Sequence, residues 1–209
     1  MFYQYKKPRP NKKEKAIDIT SIDALANFLD KSFFIEKEKV REALLQFIDK
    51  KSDKLGLIKL GITDENLEKS ILPLLKECGT IKTLDLSLNE LTNESVKLLE
   101  WLELDYLGLA GNNINELCSK DLPKLKAKEM DLSYNPLGSL AFEFFKENNV
   151  CTSLTATACE IGGLGVKYIL QCTSLKKVEL DDNLFSKKKR KLVKDFNKGT
   201  ETSFKPRLL

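Results

Sequence analysis

One eleven-residue pattern, leucine-x-x-leucine-x-leucine-x-x-asparagine-x-leucine, recurs over about two thirds of the chain and limits what it can fold into. Clear copies occupy Ile81–Leu91 (IKTLDLSLNEL), Leu104–Ile114 (LDYLGLAGNNI), Ala127–Leu137 (AKEMDLSYNPL) and Leu175–Phe185 (LKKVELDDNLF). A looser copy, Cys151–Ile161 (CTSLTATACEI), has Cys159 in the asparagine place. The first, Ser52–Ile62 (SDKLGLIKLGI), is marked by its continuation, since Ile62-Thr63-Asp64-Glu65-Asn66 follows it as Leu91-Thr92-Asn93-Glu94-Ser95 follows the second. The copies start at 52, 81, 104, 127, 151 and 175, spaced by 29, 23, 23, 24 and 24 residues. Such intervals are those of repeat arrays.

Side chains alternate along a strand, so the fourth and sixth residues of each copy share a side. Leu84 and Leu86, Leu107 and Leu109, Met130 and Leu132, and Val178 and Leu180 should therefore point inward. One strand cannot bury that face alone; equivalent strands stacked in a parallel sheet can. The ninth-position amides of Asn89, Asn112, Asn135 and Asn183 are suited to satisfying backbone groups where the chain leaves the strand. Cys159 is expected there as a small buried donor. After each strand the chain returns. Thr63–Cys78, Thr92–Glu103, Gly138–Asn148 and Gly163–Cys172 carry helical spacing, whereas Asn115–Lys126 contains Pro123 and is less regular.

These copies resemble the leucine-rich repeat family, with returns similar to the ribonuclease-inhibitor type. The resemblance implies an α/β solenoid with a short parallel sheet on a concave face, helices on the convex face, and helical caps at both ends. Repeat arrays need covered ends. Residues 16–51 supply an N-terminal cap from two helical patterns, Ser21–Phe33 and Glu36–Lys50, the second presenting Val40, Leu44, Leu45 and Ile48. The repeats then span 52–185, a capping helix 186–197 closes them through Leu192, Val193 and Phe196, and residues 1–15 and 198–209 are polar flexible ends.

The chain has no histidine, which removes Ser-His, Cys-His and His-metal chemistry together. Its five cysteines form no CxxC pair. Adjacent carboxylates such as Asp181 and Asp182 would point to opposite faces of a strand. A non-enzymatic chain with no cofactor, metal or small-molecule substrate is expected. No window approaches the ~18 apolar residues of a membrane span, and the start, MFYQYKKPRPNKKEK, lacks the apolar core of a signal peptide. The chain is therefore expected in the cytoplasm of its cell, as a monomer.

The net charge of +4 divides into +5 over residues 1–15, −8 over 16–186 and +7 over 187–209. Part of the central acidity falls on the outward strand positions, where Asp85, Glu129, Asp131, Glu179 and Asp181 stand among Leu88, Tyr106 and Tyr134. Aromatic anchors ringed by charge mark a protein-binding surface, here one for a basic partner protein. The second candidate is Lys187, Lys188, Lys189, Arg190 and Lys191, which resembles a short lysine-rich nuclear-import signal and could equally contact phosphates or form the solvated face of a helix. Nucleic acid would be met only at the basic ends. With 31 lysines against four arginines and a polar tail ending in Leu208-Leu209, the chain resembles effectors that intracellular bacteria inject into host cells by type IV secretion, there to reach the cytosol or nucleus. The alternative is a resident nuclear or cytosolic adaptor of a eukaryote.

Overall fold

The computed structural model describes residues 36–78 and 81–201. Each of the six copies contributes one strand: β1 (Lys54–Gly56), β2 (Thr83–Asp85), β3 (Glu103–Gly108), β4 (Lys126–Asp131), β5 (Ser153–Thr155) and β6 (Lys177–Glu179). All pair in parallel, in sequence order, and each copy is in register with the next: Leu55, Leu84, Leu107, Met130, Leu154 and Val178 are successive partners. This row is buried, as are the sixth-position residues Leu57, Leu86, Leu109, Leu132, Ala156 and Leu180. The inward face is the one the alternation predicts.

The ninth residue joins the copies. Asn112 Nδ2 donates to the carbonyls of Leu109 and Ala110 in its own copy and to that of Leu86 in the copy before, while its Oδ1 accepts the Leu91 N–H. Asn89, Asn135 and Asn183 repeat the arrangement. Cys159 reproduces only the donor half, its thiol donating to the Leu132 and Thr157 carbonyls. It offers no amide oxygen, and the Leu137 N–H turns to the Asn135 carbonyl instead. Where a copy lacks its own asparagine, at Leu60 and Cys159, the next residue is left-handed (Gly61 at φ 63°, Glu160 at φ 60°). The ninth and eleventh N–H groups of that copy then converge on one oxygen, Asn89 Oδ1 or Asn183 Oδ1.

The returns are shorter than their patterns predict. Thr92 caps a helix through the Glu94 N–H, but α3 covers only Asn93–Leu98. A copy of 23 residues leaves room for little more than one turn before the next strand starts at Glu103. Only the 29-residue first copy holds a long return: a capped turn at Asp64–Asn66, a π turn at Leu67–Ile71, and helix α2 (Leu72–Cys78). Pro73 lacks the N–H that would reach Lys69 in an α-helix, and the π turn lies directly before it. Gly138–Asn148 forms two 3₁₀ turns, Leu140–Phe142 and Phe145–Glu147, rather than the expected helix. Threefold repetition aligns Phe142 with Phe145, and the rings meet edge to face at 5.7 Å in the core. Gly163–Cys172 becomes α4 (Gly163–Ile169), with Val166 and Ile169 buried, and Asn115–Lys126 holds two short 3₁₀ turns, matching its irregular reading.

At the N-terminal end, α1 (Lys37–Asp49) buries Val40, Leu44 and Phe47, with Leu45 and Ile48 packed beside them. The expected Ser21–Phe33 helix and the basic segment 1–15 lie outside the described residues. At the other end α5 runs Lys187–Glu201, four residues further than expected and into the predicted tail. Asn197 explains the extension. Its Oδ1 accepts the Val178 N–H and its Nδ2 donates to the Val178 carbonyl, completing the outer edge of β6. Val193 is buried and Phe196 half-buried, but Leu192 is 43% exposed and does not close the last repeat as expected.

The asparagine network yields two opposite expectations. Asn112→Ala strands buried carbonyls and an N–H and should cost about 3–5 kcal/mol in urea unfolding. Cys159→Asn supplies the missing oxygen to the Leu137 N–H and should raise stability by about 1 kcal/mol.

Candidate functional site

The sheet face opposite the leucines carries two continuous rows. Lys54, Thr83, Tyr106, Glu129, Ser153 and Lys177 are successive register partners, as are Gly56, Asp85, Gly108, Asp131, Thr155 and Glu179. Strict alternation would turn the eighth residue of each copy inward with the fourth and sixth. It does not, because all six eighth residues are left-handed: Lys59, Leu88, Gly111, Tyr134, Ala158 and Asp182, with φ between 53° and 65°. That conformation keeps the ladder going, since Leu88 N–H donates to the Ala110 carbonyl and Tyr134 N–H to that of Thr157. It also turns Leu88 (53% exposed) and Tyr134 (62%) to the surface. Leu88 lies across Gly111, where a Cβ would sit 2.6 Å from its Cδ2.

The rows bring four of the candidate residues together. Tyr106 sits on β3 between Asp85 of β2 and both Glu129 and Asp131 of β4. Its phenol is pushed up to about 12, first by burial and then by the charges of Asp85, Asp131 and Glu129. Asp85 and Asp131 are held alike: each Oδ1 accepts the N–H two residues on, from Ser87 and Ser133, both at 3.0 Å. Asp-Leu-Ser thus recurs two copies apart as an Asx turn. Between the two aspartates lies Gly108, and a Cβ there would stand 2.5 Å from Asp85 Oδ1. The Asp85 carboxylate thus lies across Gly108, in the space a side chain there would take. Adjacent strands lie about 4.8 Å apart, so the aspartate backbones are roughly 10 Å apart.

Other candidates stand apart from this cluster. Glu179 is paired with Lys177 at 2.7 Å, and Asp181 is exposed beyond the end of β6. Some carboxylates elsewhere hold a lysine, as in Glu65–Lys69, Glu94–Lys97, Asp105–Lys128 and Asp121–Lys124. Among the described residues Asp85, Glu129 and Asp131 have no such ion pair. The basic run is divided by its helix. Lys189 lies against Gly163 and Arg190 is 5.6 Å from the Phe185 ring centre, while Lys187, Arg190, Lys191 and Lys194 line a shallow open depression. Burial pushes the Cys118 and Cys151 thiols up to about 12 and that of Cys159 to about 11, the reverse of what activates a nucleophile. No helix among the described residues is long and apolar enough to cross a membrane.

Sequence reasoning placed the two strand rows outward but did not show the left-handed row or the seat of Asp85 over Gly108. The doubled Asp-Leu-Ser was the available signal. No family model matches the chain, and no curated protein does. Among solved structures 41 chains match. One is titled "Leiomodin-1 Actin-Binding Site 2 (ABS2)", at 13% identity, with 82% of this chain and 92% of that chain covered and a TM-score of 0.49.

Because the folded-state phenol lies above its ordinary value near 10, it favours the folded protein below pH ~10, and that contribution is lost as pH rises toward 12. Ultraviolet difference spectra against Tyr106→Phe should place this phenol at about 12, and Asp85→Asn with Asp131→Asn should lower it.

Proposed function

We propose that the chain is a leucine-rich repeat solenoid that binds a protein partner without catalysis, and that the partner presents an arginine or lysine to the Tyr106 cluster. The supporting observation is the trio of carboxylates around a half-buried aromatic ring, none of them in an ion pair among the described residues. A guanidinium over Tyr106 gains a cation–π contact and donates two charge-assisted hydrogen bonds, one to Asp85 and one to Asp131. Leu88 and Tyr134, exposed on either side of Gly111, supply apolar contact at the rim. Peptides selected from a random displayed library against the full chain should be enriched in Arg or Lys beside an apolar residue. Tyr106→Ala, Tyr134→Ala and Asp131→Lys together should weaken them at least ~10-fold, about 1.4 kcal/mol. Selected peptides that are acidic, or that bind the triple variant equally well, would overturn this function.

Action inside a host cell, as an injected effector, is supported by the lysine-rich composition and the polar tail. Removal of 202–209 keeps every described residue of α5, Lys187–Glu201. A translocation reporter should lose delivery on that truncation. The alternative, a resident eukaryotic adaptor, requires that a fluorescent fusion enter the nucleus and lose entry on Lys187→Ala, Lys188→Ala and Lys191→Ala, residues exposed on α5.

A further inference from the structure

Leucines line up on the return side of the molecule as regularly as on the strands. The fourteenth residue of each copy stands in the first turn of its return segment, and the six are Glu65, Glu94, Leu117, Leu140, Leu164 and Lys188. Leu117 is 77% exposed, Leu140 46% and Leu164 48%. The return segments that carry them pack on one another in order, so the three form one stripe. Phe144 and Tyr168, only partly buried in the same segments, widen it. The stripe ends in acid at one side, with Glu94 and Glu65, and in base at the other, with Lys188 beside Lys187 and Lys191.

That order is self-complementary. About a two-fold axis at Leu140, Leu117 of one molecule meets Leu164 of the other, and Glu94 meets Lys188, twice over. A parallel arrangement would set Glu94 on Glu94 and Lys188 on Lys188. The residues three after the stripe positions, Lys120, Glu143 and Lys167, would meet like charge across that axis, so the favourable charge pairing rests on Glu94 and Lys188 alone. Glu94 holds Lys97 at 2.8 Å, an exposed pair worth at most about 1 kcal/mol that a second lysine can share or replace. From these features we infer that the return side is a docking surface for a second copy of this chain, in antiparallel register centred on Leu140. It lies apart from the Tyr106 cluster and does not depend on it.

Sedimentation of the full chain should show a monomer–dimer equilibrium with a dissociation constant on the order of 10 µM, the weak end expected for a small interface. Leu140→Glu should abolish it. Glu94→Lys and Lys188→Glu should each weaken it ~5-fold or more, and the chain carrying both should recover to within ~2-fold of the original, because the exchange restores opposite charges across the axis. Leu140→Cys should form a disulfide-linked dimer, and a mixture of Leu117→Cys with Leu164→Cys should cross-link as mixed pairs faster than as like pairs. The described cysteines Cys118, Cys151, Cys159 and Cys172 are buried and do not compete. Unchanged circular dichroism certifies each variant as folded. A monomer at every concentration overturns the inference, whether the stripe is then covered by residues 1–35 or by another protein. So does a combined charge exchange no better than its single members, or cross-linking that favours like pairs.

Discussion

Everything on the surface depends on the side-chain amide buried at the end of four of the six strands. A chain that leaves a strand and turns at once has backbone groups pointing into the interior with no neighbouring strand to meet them. Asn89, Asn112, Asn135 and Asn183 answer that from inside the turn, and each also reaches the copy before. The contact is therefore both a turn closure and a joint between repeats. With it in place the strands fall into identical register, and the outward rows become straight files of side chains whose chemistry the fold does not dictate.

The electrostatics of those files follows from spacing. Several carboxylates on the edges and returns hold lysines three or four residues away or on the adjacent copy. In the middle of the sheet the neighbours of Asp85 and Asp131 are Gly108, Tyr106 and small hydroxyl residues, so the charge stays uncompensated and acts on the phenol. A field left open on a rigid support is pre-organised for a cation, with little ordering cost when one arrives. The lysines of the Tyr106 row stand at its two ends, Lys54 on β1 and Lys177 on β6, the latter paired with Glu179.

Much of this was legible in the chain itself. The period of the repeat placed all six strands, their order, the buried leucines and the outward rows, because a two-residue alternation and a fixed spacing leave one consistent arrangement. The lengths of the returns were not legible: helical spacing in Thr92–Glu103 is real, but 23 residues per copy leave no room to use it. Phe142 and Phe145 read as a helical stripe until the core asks for a threefold one. The end of α5 was missed because Asn197 looks like an ordinary polar residue and only the open edge of β6 gives it a task. The cluster at Tyr106 was readable residue by residue, whereas the seat of Asp85 over Gly108 depended on the register between β2 and β3.

The left-handed eighth position sets a rule for how such a surface can change. A backbone at φ near 55–60° tolerates glycine, and with some cost unbranched side chains, but crowds a second substituent on Cβ. None of Lys59, Leu88, Gly111, Tyr134, Ala158 and Asp182 is branched there. Charge, aromaticity and size are thus free to vary along this row while valine, isoleucine and threonine are disfavoured, so the alphabet with which the face can be rewritten for a new partner is limited by a torsion angle and not by the core beneath it.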